Sequence, residues 1–181
     1  MKLILVTVGL PGSGKEEFIT IAKKYNFEVI RMGDIVRERT AELGLPITNQ
    51  NCGMVANEER KQHGLDIWAK RTVPRIKSQF VLIDGTRGEA EVNYFRQVYP
   101  KNLKVVAIFA DQNTRFERIK NRNRPDDTKT LEEFIERDKR ELAWGIGNVF
   151  LLADYMLIND STKEAFYDTV QKFFQNLGFK L

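Results

Sequence analysis

The sequence has few of the residues that staple small domains together: one cysteine, Cys52, and one histidine, His63, in 181 residues. A lone cysteine cannot close an internal disulfide. That excludes a disulfide scaffold and a cysteine-cluster zinc site, and it fits a reducing cytoplasm. Long hydrophobic runs are missing too. Stretches such as 105–110 fall far below the roughly 18 residues a membrane span requires. The first residues have the charged and apolar character of a secretory signal, but glycines and a lysine follow where a small-residue cleavage site should stand. The expectation is a soluble, cytoplasmic protein with no membrane partner. Charge of one sign is also scarce: 29 Lys+Arg against 25 Asp+Glu leave a net +4. That excess suits anionic small molecules and is too diffuse for a nucleic-acid surface.

What the chain does have is a globular balance, 42% apolar and 30% charged residues, at a length suited to one domain with a real core. Five short apolar, often β-branched runs lie at 3–8, 27–30, 80–83, 105–110 and 155–158. Runs that are apolar throughout suit strands buried on both faces of a parallel sheet. Helical patterns separate them. One begins at Thr130 and continues through Phe134, Ile135 and Leu142, and the last carries Phe166, Val170, Phe173, Phe174 and Leu177 behind a Ser161–Glu164 capping pair. This alternation predicts a doubly wound α/β fold. About fifty residues separate the second and third runs, with helical patterns near 34–43, 55–63 and 66–77. They predict a helical insertion over one sheet edge. A polar, helix-breaking stretch at 121–129 reads as a short charged loop.

Directly after the first run comes Gly9-Leu10-Pro11-Gly12-Ser13-Gly14-Lys15, the first seven positions of the phosphate loop G-x-x-x-x-G-K-[ST]. Its glycines let successive backbone N–H groups turn toward one anion. Lys15 brings a charge for the β and γ phosphates, and the next helix adds its positive end. The eighth position is Glu16 and not the hydroxyl residue that normally ligates Mg²⁺. A carboxylate there either reaches the metal directly or swings away and leaves its place to water. The third run ends in Asp84, placed to hold Mg²⁺ beside the loop.

With these motifs in order, the chain resembles the nucleoside monophosphate kinases, adenylate kinase above all, with features similar to dephospho-CoA kinases. The resemblance implies a P-loop NTPase fold, a five-stranded parallel sheet of order 2-3-1-4-5, in a single domain spanning 1–181. Within it, an insertion at about 34–78 would bind the acceptor and a short lid would lie at about 121–130. It implies ATP and Mg²⁺ as cofactors and a monophosphate such as AMP as acceptor. Gly33-Asp34-Ile35-Val36-Arg37 resembles the segment whose arginine grips the acceptor phosphate. Asp84-Gly85-Thr86-Arg87 is similar to the Asp-Gly-Phe-Pro-Arg segment, one residue shorter, and Arg87 matches its second phosphate-binding arginine. Arg118 and Arg122 look like the pair that meets the donor nucleotide. Arg124, Arg137 and Arg140 join them as lid candidates. By the resemblance, catalysis falls to Lys15, Asp84, Arg87 and Arg122. Residues 9–16 with Arg118 would hold ATP, Gly33, Asp34, Arg37, Gly85, Arg87 and Arg137 the acceptor, and Asp84 with Glu16 the metal. The segment 153–160 is similar to the last strand of dephospho-CoA and cytidylate kinases, so dephospho-CoA or another small molecule is the alternative acceptor. A nucleotide-binding switch with little kinase activity is the alternative outside transfer.

Arginine suits such a site because its planar fork binds phosphate bidentately and stays charged. Asp138, in helical register with Leu131, Phe134, Ile135 and Leu142, should face inward and meet an arginine. His63 reads as a helix C-terminal residue, Cys52 as structural, and Trp68 and Trp144 as packing residues.

Overall fold

The computed structural model describes residues 2–122 and 130–180. Most of the expected lid at 121–130, Arg124 included, therefore lies outside the described residues.

β1 (Leu3–Val8) is buried at every position, as a central strand covered on both faces must be. Its side chains alternate. Ile4, Val6 and Val8 join Trp68, Phe95 and Val149 on one face, while Leu3 and Leu5 join Phe18, Ile21 and Phe174 on the other. With β2 (Glu28–Arg31), β3 (Phe80–Asp84), β4 (Leu103–Phe109) and β5 (Tyr155–Ile158) it forms one parallel sheet in the order β2-β3-β1-β4-β5, as the resemblance implied. The chain leaves β1 toward one edge and later returns to its other side at β4. This reversal opens a crevice at the strands' carboxyl ends.

α1 (Lys15–Lys24) and α9 (Lys163–Asn176) pack together on one face. Aromatic rings fill the space between, with Tyr25 stacked on Phe174 at 4.7 Å. The insertion is helical as expected: α2 (Met32–Glu42), α3 (Asn49–His63) and α4 (Ile67–Thr72). α3 starts earlier than its apolar pattern predicts, because the Thr48 hydroxyl accepts from Asn51 N at 3.1 Å and caps it. The helix expected over 66–77 is shorter. Pro74 has no N–H to donate, and the chain passes into a 3₁₀ turn at Val73–Arg75. α5 (Glu89–Val98), α6 (Gln112–Arg122), α7 (Leu131–Ala143) and α8 (Ile146–Leu151) complete the described helices. α7 opens with a full capping box between Thr130 and Glu133. α9 is capped by Thr162, whose hydroxyl accepts from Ala165 N at 3.2 Å, and not by the expected Ser161–Glu164 pair. Among the described residues no helix is long and apolar enough to cross a membrane.

Trp68 is buried in the core and donates to the Ala56 carbonyl at 3.2 Å, so it packs as expected. Trp144 is partly exposed and lies under the Arg87 guanidinium, 5.7 Å from ring centre to Cζ. His63 closes α3 and faces Glu59 at 3.5 Å.

Candidate functional site

The loop from Gly9 to Gly14 leaves the carboxyl end of β1 and opens α1. Two of its glycines turn through positive φ, Gly12 at 83° and Gly14 at 104°. Close packing demands them as well. A Cβ on Gly12 would lie 2.7 Å from the Arg115 carbonyl oxygen, and one on Gly14 would collide with Asn159 Nδ2. The loop is held from three directions. Lys15 Nζ donates to the Gly9 carbonyl at 2.5 Å, Asn159 Nδ2 to the Ser13 carbonyl at 2.8 Å, and Arg115 Nη1 to the Pro11 carbonyl at 3.2 Å. Burial holds the Lys15 ammonium below its usual pKa against the pull of Asp84, and Arg87 adds to the lowering. The Ser13 hydroxyl is buried and has no hydrogen-bond partner among the described residues.

Two of these anchors escape sequence reasoning. Asn159 directly follows the last strand, 4% exposed, and its side-chain oxygen accepts from Arg118 Nη2 at 3.1 Å while its carbonyl accepts from Arg118 Nη1 at 2.9 Å. Arg115 is 4% exposed and forks on Asp138 at 2.9 and 2.5 Å, with Phe134 5.0 Å beneath its guanidinium. Asp138 faces inward as its periodicity predicts. Its partner is Arg115, which is none of the lid candidates. The only signal in the sequence was the inward-facing carboxylate itself.

Thr7, Asp84 and Arg31 stand in register at the ends of β1, β3 and β2. Thr7 Oγ1 donates to Asp84 Oδ1 at 3.3 Å. Glu16 has swung toward β2, where Arg31 forks on it with Nη1–Oε1 at 2.7 Å and Nη2–Oε2 at 2.8 Å. Arg31 Nη1 also lies 3.6 Å from Asp84 Oδ2. The hydrogen bonds to Glu16 raise the Arg31 pKa further still, so the guanidinium is permanently charged.

Beside the loop is a cleft of about 620 Å³ lined by residues 11–17 and by Arg87, Arg118, Arg122, Arg137, Glu141 and Asn159, among others. Of the residues singled out in the sequence, Lys15, Glu16, Arg87, Arg118, Arg122 and Arg137 come together here. Arg87 donates to Glu141, a buried carboxylate that the sequence did not point to. The Arg87 backbone N–H donates to Glu91 at 2.7 Å, which also receives Arg60 at 2.9 Å. Gly9, Leu10, Gly33, Asp34, Arg37, Asp84 and Gly85 do not line this cleft. Arg37 instead donates to Asp34 at 2.5 Å, both side chains half exposed at the start of α2. Gly85 turns at φ 99° against Met32 and Gly33. Arg140 is exposed on α7.

The residues present suit a polyphosphate and its metal. The loop leaves no room for a Cβ at Gly12 or Gly14, an orphaned hydroxyl lies within it, and Lys15 and four arginines surround the space above. Asp84 offers the hard oxygen donors that Mg²⁺ takes. Among the described residues no group of three metal-ligating side chains occurs.

Residues 8–135 match the family described as AAA domain. A UPF0200 protein of Thermoplasma volcanium is 46% identical over 170 residues, covering 93% of this chain and 94% of that protein. Among solved structures, the shikimate kinase of Aquifex aeolicus superposes with a TM-score of 0.58 at 15% identity over 97% of this chain and 98% of its own. A gluconokinase of Sinorhizobium meliloti does so with 0.60 at 16% over 97% and 95%. The fold, then, is that of the P-loop kinases, and by sequence the chain belongs to the AAA domain family and to the UPF0200 proteins.

Proposed function

We propose that the protein is an ATP-dependent phosphotransferase that passes the γ-phosphoryl group to a nucleoside monophosphate, AMP first among them. The reading rests on one observation: a glycine loop, its lysine and four arginines converge on a single cleft beside α1. Lys15 takes the β and γ phosphates of ATP, with residues 9–14 around them. Arg118 and Arg122 meet the rest of the donor, and Arg87 and Arg137 face the group in transit. The helical insertion at about 34–78 forms the acceptor side with Gly33, Asp34, Arg37 and Gly85, and residues 121–130 act as the lid. The acceptor oxygen attacks the γ-phosphorus in line as its bond to the β,γ-bridging oxygen breaks, and ADP leaves. The protein contributes position and positive charge. Mg²⁺, held beside Asp84, supplies neutralisation of the β and γ oxygens when bound.

The pairing of Arg37 with Asp34 outside the cleft favours a second acceptor class, a small molecule without a phosphate at that end, as the names of the shikimate and gluconate kinases suggest. Purified protein with ATP, Mg²⁺ and a panel of AMP, CMP, dephospho-CoA, shikimate and gluconate separates the two. The expected products are ADP and a nucleoside diphosphate, and Lys15→Ala lowers turnover by about 10²–10³-fold. ATP binding with no acceptor phosphorylated would defeat the transfer reading.

A further inference from the structure

Two buried carboxylates are devoted to a single residue of the cleft. Glu141, 5% exposed on α7, accepts from Arg87 Nη1, and Glu91, 1% exposed on α5, accepts from the Arg87 backbone N–H at 2.7 Å. The end of α7 presses on the same place. The Trp144 ring lies under the guanidinium, and a Cβ on Gly88 would stand 2.7 Å from the Trp144 carbonyl oxygen. One turn earlier on α7, Asp138 holds Arg115, which donates to the Pro11 carbonyl of the loop. Three residues separate Asp138 from Glu141, about 4.5 Å along the helix axis. One rigid element therefore sets the distance between the phosphate loop and Arg87. The tether uses only part of the fork. Among the described residues nothing accepts from Arg87 Nε or Nη2, and the side chain is 38% exposed at the cleft.

A negative charge in a phosphate cleft works against binding. Glu141 cancels the Arg87 charge that a bound phosphate would otherwise feel, so the pair adds no net attraction for the ground state. An apolar side chain would fill the same buried space without that loss. What Glu141 contributes is orientation. A free arginine samples many rotamers, and fixing it beforehand removes that freedom from the barrier. Donors fixed in advance act on the charge that develops in the transition state without having to reorganise. We infer that Glu141 is a positioning residue: it holds Arg87 by one edge of the guanidinium so that the other edge meets the phosphoryl group in transit. The inference rests on the reading of the cleft as a phosphoryl-transfer site. Substrate affinity is traded for a faster chemical step.

The experiment is a double-mutant cycle on the full chain: wild type, Glu141→Ala, Arg87→Ala and the two together. Steady-state kinetics with ATP, Mg²⁺ and the best acceptor of the panel give kcat, and calorimetry gives the ATP dissociation constant of each. Glu141→Ala should lower kcat by about 10–100-fold, the worth of one charge-assisted hydrogen bond. Its Kd for ATP should stay level or fall, because a negative charge has left the cleft. In the Arg87→Ala background the same change should lower kcat by less than about twofold, since a residue that acts through another is not additive with it. Should Glu141→Ala fold poorly, Glu141→Gln keeps the shape, removes the charge and runs the same cycle with a smaller fall in kcat. An unchanged kcat, or a loss of equal size with and without Arg87, would overturn the positioning role and leave the transfer reading standing. A folded wild type that binds ATP yet phosphorylates no acceptor would overturn the transfer reading, and this role of Glu141 with it.

Discussion

The loop side of the cleft and the helical insertion are both rich in arginine–carboxylate pairs, yet the two are built differently. On the loop side the Arg115–Asp138 pair is about 95% enclosed, and Asn159 ties the loop carbonyl of Ser13 to the Arg118 guanidinium within the interior. In the insertion, Arg37–Asp34 and Arg75–Glu38 lie half in solvent, and only Glu59 is buried, gripped by Arg39 and Arg71. Buried forks fix geometry at a high desolvation cost, whereas exposed pairs contribute little and exchange partners readily. The loop side is therefore preorganised around one arrangement. The insertion keeps guanidiniums that can turn toward a ligand.

The sharpest way to break this contrast is Asp138→Ala. It leaves Arg115 charged and unpaired in the interior, and such a loss costs about 3–5 kcal/mol. Urea denaturation should show a large fall in midpoint with an unchanged slope. A shift below about 1 kcal/mol, the range of an exposed pair, would mean that the loop side is no more preorganised than the insertion.

Much of this contrast was invisible in the sequence, and the reason is distance along the chain. The sheet, the loop and the strand-end Asp84 are contiguous patterns, and apolar runs and glycine spacing carry them. Helix ends depend on finer competition. Thr162 wins the cap of α9 over Ser161, and Pro74 stops α4 where apolar spacing alone continues it. The site's polar partners are set by the fold. Arg31 reaches Glu16 across 15 residues, Arg87 reaches Glu141 across 54, and Asn159 reaches Ser13 across 146. Periodicity can say that Asp138 faces inward. Only the packing of α6 against α7 decides that Arg115, and not Arg118 or Arg137, meets it.

Glu59 tests the intermediate case, a buried carboxylate whose arginines are partly exposed. Burial pushes its pKa up, but hydrogen bonds from Arg39 and Arg71 outweigh that and hold it below the ordinary 4.5. A carboxylate with a lowered folded-state pKa adds stability that is complete above the unfolded value and is lost as pH falls through the folded one. The stability gap between wild type and Glu59→Gln should accordingly be widest at neutral pH and narrow below 4.5. It should stay smaller than the Asp138→Ala effect, because solvent screens Arg39 and Arg71. A gap that does not change with pH would mean that the insertion's one buried carboxylate contributes through packing alone.

The smallest stability effect belongs to Arg37→Ala, and it tests the other half of the contrast. The Arg37–Asp34 pair has side chains 51% and 54% exposed, so its loss should move the urea midpoint by no more than about 0.5 kcal/mol. If the insertion keeps its arginines available for the acceptor, the same variant raises the acceptor KM by about tenfold and leaves the KM for ATP unchanged. One charge-assisted hydrogen bond to a ligand is worth about 1.5–3 kcal/mol, enough for that change. Steady-state kinetics with each substrate varied in turn read both constants. An unchanged acceptor KM would remove Arg37 from the acceptor side and leave Arg87, already inside the cleft, as the arginine that faces the acceptor.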